Sequence, residues 1–183
     1  MLYSLDQLKI EINHLRTLSN CRIALASGGF DPFHIGHLKY LNGSAAYGKL
    51  CVTVNGDEFL RRKKGYVFMP AVERAEIVAA LKNVFGVIIW DHDDVSDLIS
   101  ELRPNVFCNG GDRSRPESWN AAETNACQML GIRQQGGVGG SMKLQTSQKL
   151  LEKALAEVLD RNIKEWQGQL LAEKILARDK ETR

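Results

Sequence analysis

Apolar residues recur three and four apart at Leu5, Leu8, Ile12, Leu15 and Leu18, behind a capping-box pair of Ser4 and Gln7, which predicts an amphipathic helix. The spacing then changes. Arg22–Ala26 is short, apolar and closed by the glycine pair Gly28-Gly29, as suits a buried strand leaving a parallel sheet. Ile35, Leu38 and Leu41 restore the helical period in a helix predicted over Ile35–Tyr47, and Leu50–Val54 (LCVTV) is again strand-like, completing a βαβ unit. A loop over Glu58–Pro70, a helix over Ala71–Lys82 and a third strand over Val84–Trp90 follow. Asp93 or Asp94 can cap a helix running to Leu102, before a strand at Val106–Cys108, the turn Asn109-Gly110-Gly111-Asp112, a helix over Glu117–Leu130 and a short last strand from Ile132.

Strands alternating with helices in this way predict an α/β fold, a Rossmann-like doubly wound parallel sheet of about five strands. After the glycine-rich Gln135–Ser141, apolar residues from Leu151 through Leu155, Leu159, Ile163 and Trp166 to Ile175 form one long helical stripe. A helix over Thr146–Ala177 would run about 48 Å, so it is expected to break near Gly168 or to bury its face against a partner. The predicted organisation is an N-terminal helix (1–20), an α/β domain (21–151) and a C-terminal helical extension (152–183).

Composition narrows the function. The 183 residues are 44% hydrophobic and 25% charged, enough for one packed core, and the formal charge of +2 excludes nucleic-acid binding driven by overall charge. Basic residues concentrate at Arg61–Lys64. Four separated cysteines without a CxxC pair suggest reduced thiols, and no segment is apolar enough to span a membrane, so the expectation is a cytoplasmic protein.

The chemistry gathers at SGGFDPFHIGHLKYL, residues Ser27–Leu41. Gly28 and Gly29 let backbone approach a ligand, and a helix starting at Ile35 would aim free N–H groups and its positive dipole end at the loop. His34 and His37 flank Gly36, so both imidazoles reach one point. A structural metal is disfavoured, because no second Cys/His pair lies nearby. The pattern is neither a Walker loop nor GxGxxG. In doubly wound sheets ligands sit beyond the carboxyl ends of the strands, which would bring Gly28–His37, Asn55–Asp57 and Asn109–Asp112 to one rim.

GGFDPFHIGH resembles the HxGH signature of the nucleotidyltransferase superfamily, in particular its cytidylyltransferase-like branch, which includes glycerol-3-phosphate cytidylyltransferase and heptose 1-phosphate adenylyltransferase. The likeness runs from about Arg22 to about Leu151. It implies catalytic roles for His34, His37, Lys63, Lys64 and Arg74. It implies nucleotide contacts from Gly28, Gly29, Phe30, Asp31, Gly36, Asn109, Gly110, Gly111, Asp112, Thr146 and Ser147, with Lys143 in place of an arginine found in some members. Asp57 is the candidate for the acceptor. The implied reaction transfers CMP or AMP from CTP or ATP to a small phosphorylated alcohol or sugar 1-phosphate and releases pyrophosphate. Mg²⁺ would be bound mainly through the triphosphate and the chain would form a homodimer. Phosphoryl chemistry of this kind asks for positioning and charge rather than a strong general base. Two alternatives stand beside it: a pantetheine-phosphate-type adenylyltransferase, and a non-catalytic nucleotide-binding or oligomerisation module.

Overall fold

A strand covered on both faces must be apolar on both, and the segments Ile23–Ala26 and Leu50–Val54 meet that demand. The computed structural model describes residues 1–140 and 146–181, apart from the side chains at 112, 168 and 170–181. Among the described residues β1 (Ile23–Gly28), β2 (Lys49–Asn55), β3 (Val84–Trp90), β4 (Val106–Gly110) and β5 (Arg133–Val138) form a parallel sheet in the order β3-β2-β1-β4-β5. The predicted doubly wound α/β fold is the fold observed.

Alternate strand residues serve two cores. Ala24, Ala26, Val52 and Val54 pack beneath Tyr40 and Leu41 of α2 (Ile35–Ala45) and Ala75 and Val78 of α4 (Ala71–Ala79). Ile23, Leu25, Cys51 and Phe107 face Leu8 and Ile12 of α1 (Leu5–Ser19) on the other side. Leu98, Ile99 and Leu102 of α5 (Ser96–Leu102) and Cys127 of α6 (Ala121–Met129) complete that layer. The Ser4–Gln7 capping box starts α1 as expected. Strand order reverses between β1 and β4, which opens a crevice at their carboxyl ends.

Four segments depart from the sequence pattern or decide between its alternatives. Half of the predicted Glu58–Pro70 loop is a helix, α3 (Asp57–Lys64), because Asp91, at the end of β3, caps it from across the chain. Its carboxylate accepts the Glu58 and Phe59 amides at 3.2 and 2.8 Å. The glycine-rich stretch is half strand, with Gly136 and Gly137 inside β5, and Gly139 (φ +88°) lets the turn pass so close to Tyr40 that a Cβ would stand 2.7 Å from its backbone. The helix expected from Glu117 begins at Ala121, capped by Asn120. The C-terminal helix does not break at Gly168: α7 is continuous over Ser147–Glu181, 35 residues or about 52 Å, since one glycine costs a helix only about 1 kcal/mol.

The chain separates into two units, Met1–Gln145 and Thr146–Arg183. In the second, Thr146 Oγ1 accepts the Lys149 amide and caps α7. Leu155, Leu159, Ile163 and Trp166 lie exposed along it. No helix among the described residues is long and apolar enough to cross a membrane. The four cysteines are free, and burial pushes the Cys51 thiol up to about 12.

The cap on α3 depends on a glycine at its N-cap. A Cβ on Gly56 would lie 2.2 Å from Asp91 Cγ. Gly56→Ala should therefore displace Asp91 and cost about 1–3 kcal/mol of stability, read as a lowered chemical-denaturation midpoint by circular dichroism. An unchanged midpoint would contradict this account of α3.

Candidate functional site

The crevice is built by α2. Its N-cap is His34, whose Nδ1 accepts the Gly36 amide at 3.1 Å. That bond fixes the neutral tautomer with the proton on Nε2, leaving a donor free to face the crevice. One turn into the helix, His37 stacks on His34 with ring centroids 3.8 Å apart and planes 17° from parallel. Phe30 meets His37 edge-on at 5.1 Å and Phe33 flanks it at 5.6 Å. Phe30 is buried and holds a left-handed φ of 53°, a conformation a bulky residue adopts only when packing imposes it.

Tyr40, one turn beyond His37, locks this arrangement down. Its hydroxyl donates to the Cys108 carbonyl at 2.6 Å and accepts the Ser27 amide at 3.2 Å, so one side chain ties α2 to the ends of β4 and β1. Sequence reading passed over this residue. Its signal was a tyrosine on the apolar face of a helix, where a buried hydroxyl requires a partner.

Electrostatically the crevice keeps its histidines neutral. Burial, followed by the charge of Lys64, lowers the His34 pKa. Burial, then His34 and Lys64, lowers that of His37 from 6.5 to about 3. His37 Nδ1 is buried without a hydrogen-bond partner among the described residues. Two neutral imidazoles and the N-terminus of α2, beside a lysine, make a site preset for an anion.

The basic run resolves into distinct roles. Arg61 pairs with Glu58 and Arg62 with Asp93, both on the surface, and Lys63 lies over the Phe59 ring at 5.2 Å. Lys64 points inward: its Nζ donates to the Asp31 carbonyl at 3.4 Å and approaches the histidine turn closely enough to depress both imidazole pKa values. Burial lowers its own pKa, with Asp31 opposing and Lys63 and Arg74 reinforcing the shift. Lys64 keeps solvent contact at the same time, so it is a reachable cation in a partly desolvated place.

Other predicted residues have different surroundings. Asp31 is fully buried, and its carboxylate accepts the Phe68 and Met69 amides at 2.9 and 2.8 Å. Arg74 is buried as well, bonded to three carbonyls and to Asp57. Gly28 and Gly29 form the end of β1 and the turn beyond it, with Lys64 Nζ 3.8 Å from where a Gly29 Cβ would stand. Asn109 and Gly110 end β4, and Gly111 opens a 3-10 turn through Arg113. The Asn109 Nδ2 is buried and unpartnered among the described residues. Arg113 reaches the buried Glu123, whose pKa burial raises against the pull of that arginine. Asp112 has no described side chain, and Lys143 lies outside the described residues. Thr146 and Ser147 belong to the second unit. The acidic run at 91–94 caps helices: Asp91 serves α3 and Asp94 accepts the Ser96 amide of α5.

The cytidylyltransferase-like family model matches residues 25–131. The bifunctional protein HldE of Geobacter sulfurreducens is 40% identical over 94 residues, 50% of this chain and 19% of that protein. HldE of Alcanivorax borkumensis is 38% identical over 111 residues, 59% of this chain and 23% of that protein. The chain thus spans about a fifth of the length of these relatives. Among solved structures, a lipopolysaccharide core biosynthesis protein from Thermoplasma volcanium superposes with a TM-score of 0.54 at 26% identity, covering 63% of this chain and 93% of that one. A pantoate-beta-alanine ligase from Francisella tularensis, complexed with beta-gamma ATP and beta-alanine, shares the fold at a TM-score of 0.52 and 12% identity, covering 74% of this chain and 65% of that one.

The depressed histidine has a consequence for folding. A base whose pKa falls on folding binds fewer protons native than unfolded, so its cost is absent above pH 6.5 and grows as pH falls toward about 3. In wild type the unfolding midpoint should drop through that window, and more gently in His37→Asn. Parallel curves for the two proteins would contradict a neutral, desolvated His37.

Proposed function

The chain belongs to the cytidylyltransferase-like family, and we propose that it is a nucleotidyltransferase that transfers AMP from ATP to the phosphate of a sugar 1-phosphate and releases pyrophosphate. The observation that carries the proposal is the stacked His34–His37 pair at the N-terminus of α2, with Lys64 beside it, in the crevice where strand order reverses. The choice of ATP and a sugar phosphate rests on the resemblance to a family that includes heptose 1-phosphate adenylyltransferase and on the identity with HldE.

The triphosphate lies over the turn after β1, its phosphates against the α2 N-terminus. His34 donates through Nε2–H and His37 through its remaining N–H, while Lys64 offsets the charge that gathers as pyrophosphate departs. An oxygen of the acceptor phosphate attacks the α-phosphorus from the opposite side. That oxygen is already ionised at neutral pH, so no side chain need take a proton. Binding a polyanion beside the imidazoles also reverses the cost of charging them, which raises their pKa values toward the working pH. Asp31 spends its carboxylate on the Phe68 and Met69 amides, so Mg²⁺ would be held by phosphate oxygens and water. Its chemistry there is charge neutralisation on the triphosphate.

His34→Ala and His37→Ala should each lower kcat by about a hundredfold or more. Lys64→Ala should act comparably, whereas Lys63→Ala, removing a solvated charge, should change kcat/KM by about fivefold at most. Pyrophosphate release with ATP, CTP and a panel of sugar 1-phosphates and phosphorylated alcohols reads both points. Faster turnover with CTP and an alcohol phosphate would overturn the substrate choice. Equal losses at Lys63 and Lys64 would overturn the assignment within the basic helix.

A further inference from the structure

Among the described residues Arg74 is the largest fully buried side chain, and it is a charged one. Its Nε donates to the Met69 carbonyl at 2.7 Å and its Nη1 to the carbonyls of Gly29 and Asn55 at 2.6 and 2.8 Å. Its Nη2 donates to Asp57 Oδ1 at 2.6 Å. One guanidinium therefore joins the turn after β1, the end of β2, the first residue of α3 and the segment that leads into α4. Fully enclosed, with four of its five N–H donors on these protein acceptors, it presents no surface to a phosphate.

Asp31 closes the same circuit from the other side. It accepts the amides of Phe68 and Met69, and its own carbonyl accepts Lys64 Nζ. Lys64 is the last residue of α3, so the brace holds both ends of its carrier: Asp57 at the start of the helix, and residues 68–69 just beyond its end. Burying a guanidinium is repaid only when its hydrogen bonds are well formed, which makes the four-way junction stiff rather than adaptable.

We propose that Arg74 and Asp31 are positioning residues for nucleotidyl transfer, acting together as a brace that sets Lys64 against the His34–His37 pair and touching no substrate themselves. The proposal rests on the reading of this crevice as the triphosphate site. It places the basic helix before the ligand arrives, in contrast to a loop that closes on it.

The test uses Arg74→Lys, which keeps a charge but cannot span four acceptors, and Asp31→Asn, which can accept only one of the two amides through its oxygen. Each is made alone and in a Lys64→Ala background. Folding is checked by circular dichroism. ATP affinity is measured by titration calorimetry, and amide hydrogen exchange is followed at Phe68 and Met69. The expected result is about a tenfold loss of ATP affinity from either change when Lys64 is present. In the Lys64→Ala background the loss shrinks to within about twofold, with faster exchange at both amides throughout. Losses that simply add to that of Lys64→Ala would mean that Arg74 or Asp31 meets the nucleotide directly, and would overturn the proposal. Folded variants with wild-type affinity would overturn it equally. The nucleotidyltransferase reading fails separately, as absence of pyrophosphate release from wild type, while unchanged exchange at Phe68 and Met69 would remove the brace whatever the enzyme transfers.

Discussion

One hydroxyl sets the geometry on which the rest depends. By bonding the Cys108 carbonyl and the Ser27 amide, Tyr40 pins α2 across the two strands that border the crevice. The position of α2 follows, and with it the direction of its N-terminal amides and the place of both histidines. Gly139 belongs to the same constraint, since it allows the chain after β5 to pass against the Tyr40 backbone. A helix end held this firmly can present donors without reorganising, and transfer at phosphorus rewards such preorganisation.

Charge on the rim is distributed with the same economy. Arg61, Arg62 and Arg74 are paired with carboxylates, and Asp31, Asp91 and Asp94 are spent on backbone amides. Lys64 is left in a partly buried place beside two neutral imidazoles. Burial and the charge of Lys64 together depress both imidazoles, while burial, Lys63 and Arg74 depress Lys64 against the pull of Asp31, so the crevice holds back positive charge. A polyanion is the ligand that relieves such a state.

Much of this was legible in the residues. The apolar runs gave the strands because parallel strands are covered twice, and the HxGH spacing gave the helix start with its two histidines. Less legible was anything carried by contacts distant in sequence. Asp91 turns half of a predicted loop into α3 from more than thirty residues away, and no local propensity records that. Asp31 and Arg74 stood out as motif positions. Motif spacing places a residue near a site but does not say whether its charge faces ligand or protein, and here Asp31 faces backbone amides and Arg74 faces three carbonyls and the Asp57 carboxylate. The composition of the glycine-rich stretch 135–141 records no strand, yet residues 135–138 belong to β5 and run beside β4, because the sheet edge supplies the order that composition lacks.

The most direct test of the account is the ionisation of the two imidazoles with and without triphosphate. In protein labelled with nitrogen-15 at histidine, a pH titration of the ring signals should find His37 neutral down to about pH 3 and His34 below the ordinary histidine value. On saturation with ATP and Mg²⁺ both pKa values should rise and both ring signals should shift. Imidazoles that titrate near 6.5 in the free protein, or that stay unmoved while ATP binds, would contradict the central claim that this pair is a neutral, preset phosphate site.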